Sequence, residues 1–314
     1  MNSILPAEAE PSNFLTDYSP REKWDNHRGN AQTIGSHYDR DQRFQRLGER
    51  IAGCSTSLGF AWKTDAETGE SKLKLRTAKF CFARHCPVCQ WRRSLRNTAR
   101  FFSVIPSIQE KFPTHRWLFL TLTVRNCDSA DIRETIKKMS AGWKRFIQRK
   151  DWPATGWMRS TEITRNPDDG TAHPHFHVLM MVPAGYFSRG YVPQAEWVSR
   201  WKNSLRIDYD PVVDVRAVKP KKDGQTIQAA VVETLKYATK AEDALNAPEW
   251  LYAITEQLHK LRFVASGGEL KGLLREDFSN AELISGDDQT AEQNLSPSMW
   301  FGWQPTKRRY VKTK

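Results

Sequence analysis

The stretch that most constrains the fold is His173-Pro174-His175-Phe176-His177-Val178-Leu179-Met180-Met181-Val182. Its short apolar run lies between two turn-forming clusters, Asp168-Asp169-Gly170 and Pro183-Ala184-Gly185, which mark the ends of a strand. Alternate side chains of a strand share a face, so His175 and His177 project together while Phe176 and Val178 project the other way. His173 falls on the histidine side. Two imidazoles on one face can chelate a divalent ion. A half-buried strand that happens to carry histidines is the ordinary alternative. Three of the 8 histidines fall in this one stretch, which favours the metal site.

The neighbouring segments supply partners for that strand. Trp117 to Val124 alternates, with Leu118, Leu120, Leu122 and Val124 on one face and Thr121 and Thr123 on the other. Asp128 or Ser129 caps a helix whose Ile132, Ile136, Met139, Trp143 and Phe146 recur at core-facing spacing. Residues 156–164 form the next strand, folded back on the histidine strand by the Asn166 to Gly170 turn. A helix over 193–206 and a strand from Val212 to Val218 follow. This order predicts an α+β fold, an antiparallel sheet with flanking helices that cover one face.

Charge points to the partner. Net charge is +12, and it is concentrated: residues 72–150 carry 19 Lys/Arg against 4 Asp/Glu, whereas 1–50 and 151–314 are close to balance. A localised positive excess suits a polyanion. No lipidation motif accompanies it, so nucleic acid is favoured over an anionic membrane. No apolar run is long enough to span a bilayer and no secretory signal opens the chain, so a cytoplasmic protein with reduced thiols is expected.

Reduced thiols direct the reading of the cysteines. Cys86-Pro87-Val88-Cys89 is a C-x2-C knuckle, with Cys81 just before it and Cys54 upstream. Four thiolates close a tetrahedral structural zinc site, for which His85 could replace one of them. Cys127 is left as a free thiol. Between Cys54 and Cys81 a hairpin is predicted (57–62 and 72–80), so zinc would clamp the open end of a small ribbon. Pro87 then opens a helix to about Ile105, on which Arg92, Arg96 and Arg100 form a row. With Arg93 they are candidate phosphate contacts, although an arginine row can also be a solvated face.

The predicted domains are a poorly ordered leader over 1–50, with a short helix near Tyr38 to Glu49, and a zinc ribbon with its basic helix over 51–110. The α+β domain built on the histidine strand over 111–245 and a C-terminal helical region with a basic aromatic tail over 246–314 complete the chain. Residues 279–298 read as a loop. Met299 to Lys314 suits either single-strand contacts or an ordered strand.

A second chemical element lies in 225–240 (QTIQAAVVETLKYATK), which reads as one helix. Ile227, Val231, Leu235 and Ala238 form its buried arc, and Glu233, Tyr237 and Lys240 a separate one. A phenol is a weak nucleophile at neutral pH, but a metal that polarises a phosphate and a nearby cation make it useful. Spacing alone does not single these residues out.

Four motifs in one order do. HPHFHVLM, FLTLT at 119–123, Glu233-x3-Tyr237-x2-Lys240 and Cys86-Pro-Val-Cys-x-Trp-Arg-Arg together resemble the rolling-circle plasmid replication initiators. These are the Rep proteins of the HUH endonuclease superfamily, here of the single-tyrosine class, and the similarity covers roughly 54–275. The resemblance implies a ferredoxin-like nuclease domain, Mg²⁺ or Mn²⁺ held by His175 and His177, and Tyr237 as the nucleophile. It would nick one origin strand, remain linked to the 5′-phosphate and leave a 3′-OH primer. Glu233 would activate the water that ends the cycle, and Lys240 would stabilise developing charge. Glu162, on the strand paired with the histidines, is the candidate third ligand, with His173 in competition. The partners implied are origin DNA, a host helicase and a DNA polymerase. A transposase of the same chemistry and a non-catalytic zinc-containing DNA-binding regulator are the alternatives.

Overall fold

The computed structural model describes residues 13–20, 23–64, 68–218, 225–235, 241–285 and 296–313. The chain forms two compact units, Met1–Val88 with Thr290–Lys314 and Cys89–Gln289. In chain order, the elements are α1 (Leu15–Tyr18), α2 (Trp24–Asp39), α3 (Gln45–Ala52), β1 (Ser57–Thr64), β2 (Ser71–Ala78) and α4 (Pro87–Lys111). Then come β3 (Arg116–Thr123), α5 (Ile132–Ile147), β4 (Gly156–Arg165), β5 (Ala172–Val182), α6 (Gln194–Leu205) and β6 (Val213–Ala217). The last are α7 (Gln225–Thr234), α8 (Ala241–Asn246), α9 (Pro248–Gln257), β7 (Val264–Gly268), α10 (Asn280–Ser285), β8 (Met299–Gln304) and β9 (Arg309–Lys312).

The larger unit is built on a sheet of order β6-β3-β5-β4-β7, in which every neighbouring pair is antiparallel. The histidine strand is therefore central. Its even-numbered residues Phe176, Val178, Met180 and Val182 join Leu118, Leu120 and Leu122 beneath Met139, Trp143 and Phe146 of α5 and Trp197 and Trp201 of α6. Apolar area removed from water on this scale is the main term holding such a sheet and its helices together. The expectation that helices cover one face needs correction. Leu179, Met181 and Met158, on the opposite face, pack with Phe101 of α4 and with Val231 and Leu235. A strand as continuously apolar as 178–182 leaves no side for water, so both faces need cover.

The predicted domain boundaries also change. Residues 24–52 are not a leader: α2 and α3 bury Trp24, Ile34, Tyr38 and Ile51. Part of the cover of Trp24 comes from the far end of the sequence. β8 and β9 extend the β1–β2 hairpin into a sheet of order β2-β1-β8-β9. Trp24 meets Phe60 and Tyr310 edge-on, and Phe60 meets Phe301. The Tyr310 hydroxyl donates to the Ser55 carbonyl at 2.6 Å. Residues 299–312 are thus strands of the small unit, not a tail of a C-terminal region. Within 246–285, β7 extends the large sheet at β4.

Candidate metal centre

Strand pairing brings the acid to the histidines. Glu162 of β4 is the Cα partner of His175, and Thr121 of β3 is the partner of His177. Glu162 Oε2 lies 2.8 Å from His177 Nε2 and 3.3 Å from His175 Nε2. All three side chains are buried. A carboxylate and two imidazoles offering their ligand atoms this close together form a group able to hold a metal ion.

The surroundings orient the rings. His175 Nδ1 faces the His173 carbonyl at 3.1 Å, and a carbonyl only accepts, so Nδ1 donates that bond and the ring is set with Nε2 toward Glu162. His177 Nδ1 lies 3.3 Å from the Thr121 hydroxyl, and Phe119 stacks on the same ring. Burial alone would push the Glu162 carboxyl up. The hydrogen bonds and charge of His175 and His177 outweigh it and hold Glu162 well below the usual carboxylate range. An ionised oxygen facing two imidazole nitrogens is a donor set that suits a divalent ion. His173 is set apart: its Nδ1 is 2.7 Å from the Asn126 amide oxygen, and it is not one of the converging group.

The four predicted zinc ligands also converge. The Cys54, Cys81, Cys86 and Cys89 sulfurs all lie within 4.8 Å of one another. Cys54 and Cys86 sulfurs are 3.7 Å apart, close to the edge of about 3.8 Å for a tetrahedron with 2.3 Å metal–sulfur bonds. The Ala83 amide donates to the Cys81 sulfur at 3.4 Å. His85 is buried beside this group and is not a member of it. Cys127 stands elsewhere, its backbone bridged to Ala172.

Two of the arginines do not face solvent phosphate. Arg92 is buried, and its guanidinium donates to the carbonyls of Leu283 and Ile284 at 2.8 Å each. Arg100 donates to the Leu273 carbonyl at 3.0 Å. Both pin α4 to later chain, so the predicted row is broken: an i, i+4 spacing cannot tell a solvated stripe from one that meets backbone carbonyls. Arg93 and Arg96 are half-buried.

Glu233 is half-buried on α7, whose Val231 packs, with the following Leu235, on the face that carries the metal group. Tyr237 and Lys240 lie outside the described residues. On the near side of that stretch, Leu235 packs with Met158 and Leu179. On the far side, Asp243 of α8 accepts from the Arg165 amide at 3.0 Å. Met158 and Arg165 flank Glu162 along β4.

Comparison with known proteins decides the family. The sequence profile described as Replication protein matches residues 72–311, well over half of the chain. The chain belongs to the Replication protein family. A Protein rep of Bacillus amyloliquefaciens is 32% identical to this replication protein over 92% of the chain and 93% of the relative. A Protein rep of Streptococcus pneumoniae is 32% identical over 86% of each. One of Lactiplantibacillus plantarum is 35% identical over 83% of the chain and 86% of the relative. No solved structure matches. Among the described residues, no helix of this replication protein is long and apolar enough to cross a membrane.

Sequence reasoning passed over Thr121 and Asn126 as site residues. The signal for Thr121 was present, since strand alternation puts it on the histidine face; the pairing register that sets it against His177 was not.

Proposed function

We propose that this replication protein initiates plasmid replication by nicking one strand of origin DNA, with Tyr237 as nucleophile. The phenol oxygen bonds to phosphorus as the bond from phosphorus to the 3′ oxygen breaks, and the phenol proton ends on that departing oxygen, which gives a 5′-phosphotyrosine link and a free 3′-OH. Glu162, His175 and His177 would hold a divalent ion, Mg²⁺ or Mn²⁺, which would supply Lewis-acid polarisation of the scissile phosphate. Glu233 acts as base for the water that later releases the product, and Lys240 offsets charge on the phosphate. Zn²⁺ on the four cysteines is structural. The protein acts in the cytoplasm, with a host helicase and polymerase extending the primer.

One observation carries this reading. The converging acid and imidazoles sit on the sheet face over which α7 packs, and the described chain on either side of Tyr237 contacts β4 on either side of Glu162. Arg93 and Arg96 remain the candidate phosphate contacts of α4. The test is a cleavage assay on single-stranded oligonucleotides tiled across the origin, with Mn²⁺, read for a covalent adduct at the 5′ end. The wild-type protein forms the adduct and Tyr237→Phe does not. An adduct that persists in Tyr237→Phe overturns the nucleophile, and its absence from both overturns the enzyme in favour of a DNA-binding regulator.

A further inference from the structure

The sheet face that carries the metal group continues along β3 and β6 toward a cavity with different chemistry. From Thr121, beside His177, the next β3 side chains on this face are Phe119 and Trp117. Phe119 is half-buried and has the exposed Arg216 of β6 directly across the ladder. At Trp117 the face reaches a cavity of about 320 Å³, lined among others by Gln109, Phe112, His115, Arg116, Trp117 and Met181. Met181 and His177 are four positions apart on one face of β5. At about 3.3 Å per residue, the cavity lies roughly 13 Å along the strand from the metal group.

The lining selects for a flat, polar-edged ring. Phe112 and Trp117 supply aromatic surface. Gln109, exposed on α4, carries an amide that both donates and accepts, the pattern that reads a base edge at two points. His115 is held through Nε2 to the Thr155 hydroxyl at 3.0 Å, while its Nδ1 has no hydrogen-bond partner. Arg116 borders the cavity at the strand end, but its guanidinium is turned to the other sheet face, 4.4 Å from the centroid of the Phe187 ring. The volume is at the lower limit of small-ligand sites, about 300 Å³, and holds one ring system. Aromatic surface joined to guanidinium groups is the usual means of holding single-stranded nucleic acid.

We propose that this cavity is a base-recognition pocket for single-stranded DNA, seating one nucleobase a few nucleotides from the phosphate at the metal group, with Phe119 and Arg216 along the path. It rests on the reading of the protein as a DNA-nicking initiator and adds where the specificity for the strand resides. Phe112 stacks on the base, Gln109 reads its edge, and the exposed Arg216, paired with Asp214 at 2.7 Å in the free protein, turns to a phosphate.

The test uses the full chain without divalent ion, so that binding is read apart from cleavage. Fluorescent homopolymers of thymidine, deoxyadenosine and deoxycytidine, about twenty nucleotides each, are titrated by anisotropy at one salt concentration. The wild-type protein prefers one homopolymer. Phe112→Ala weakens that complex by about tenfold, and Phe112→Tyr restores it. Gln109→Ala, on an exposed helix position, narrows the preference without changing the thermal midpoint. If Phe112→Ala and Gln109→Ala bind all three as the wild type does, the pocket is overturned. In that case wild-type adduct formation with Mn²⁺ leaves the nicking reading intact, whereas a wild type that binds no single strand sinks both.

Discussion

Glu162 and His175 face each other across the β4–β5 ladder as direct Cα partners. The hairpin that joins these strands thus fixes the acid against the imidazole, independently of any loop. Glu162→Ala should lower Mn²⁺-dependent cleavage by about 100-fold or more, since outer-sphere changes alone cost metal sites up to about that much. Affinity for single strands without divalent ion should stay within about twofold, because phosphate contacts dominate it. Parallel cleavage and anisotropy measurements check this. Equal losses in both would assign Glu162 to DNA binding instead.

The Thr121 hydroxyl beside His177 Nδ1 makes a separate prediction. Thr121→Val keeps the shape and removes the hydrogen bond, so the Mn²⁺ concentration for half-maximal cleavage should rise about tenfold. Saturating Mn²⁺ should restore the rate. A loss that excess metal does not repair would place Thr121 outside the metal's support.

Arg92 should prove a stability residue. Arg92→Ala removes two charge-assisted hydrogen bonds from buried carbonyls, a loss of about 2 to 4 kcal/mol. Urea unfolding measures it. The slope of log affinity for DNA against log salt should stay as in wild type, and a slope shallower by about one would show a phosphate contact.

The cysteine cluster predicts one zinc per chain. Mass spectrometry under native conditions should find the ion, and Cys54→Ser or Cys86→Ser should lose it and lower the thermal midpoint. Wild-type protein that is metal-free yet equally stable would leave the thiols as a packed cluster only.

Acid should weaken the small unit through His27. Burial, with the positive charge of Lys23 second, pushes this imidazole down to about 4. The unfolded ring titrates near 6.5. Between those values only the unfolded chain takes the proton, so the contribution is full above pH 6.5 and declines as pH falls toward 4. It amounts to about 3 kcal/mol at most. Urea midpoints at pH 7 and 4.5 should converge in His27→Gln relative to wild type.

Much of the large sheet was readable because its signals are local. The 156–164 and 173–182 strands and their turn carry alternation and turn residues in sequence, and from them the approach of Glu162 to His175 follows. α2 was not readable, because its buried residues are Trp24, Arg28, Gly29, Ala31, Ile34, Gly35, His37 and Tyr38. Small and polar residues make up most of that set and blur the apolar period. Its partner Tyr310 lies far along the chain, where no window reaches. Arg92 failed for a related reason: its acceptors are carbonyls of residues 283 and 284, and a carbonyl leaves no mark in a sequence.

Ser57 of β1 pairs with Gly302 of β8, so the edge of β1 away from β2 stays unmated until residues 299–304 have left the ribosome. Residues 89–289 can gain their structure during synthesis, while the first-made segment waits for the last. A message truncated before codon 299 would then yield a chain with an exposed strand edge at β1, a template for aggregation and degradation. Only products translated through β9 would carry a finished small sheet.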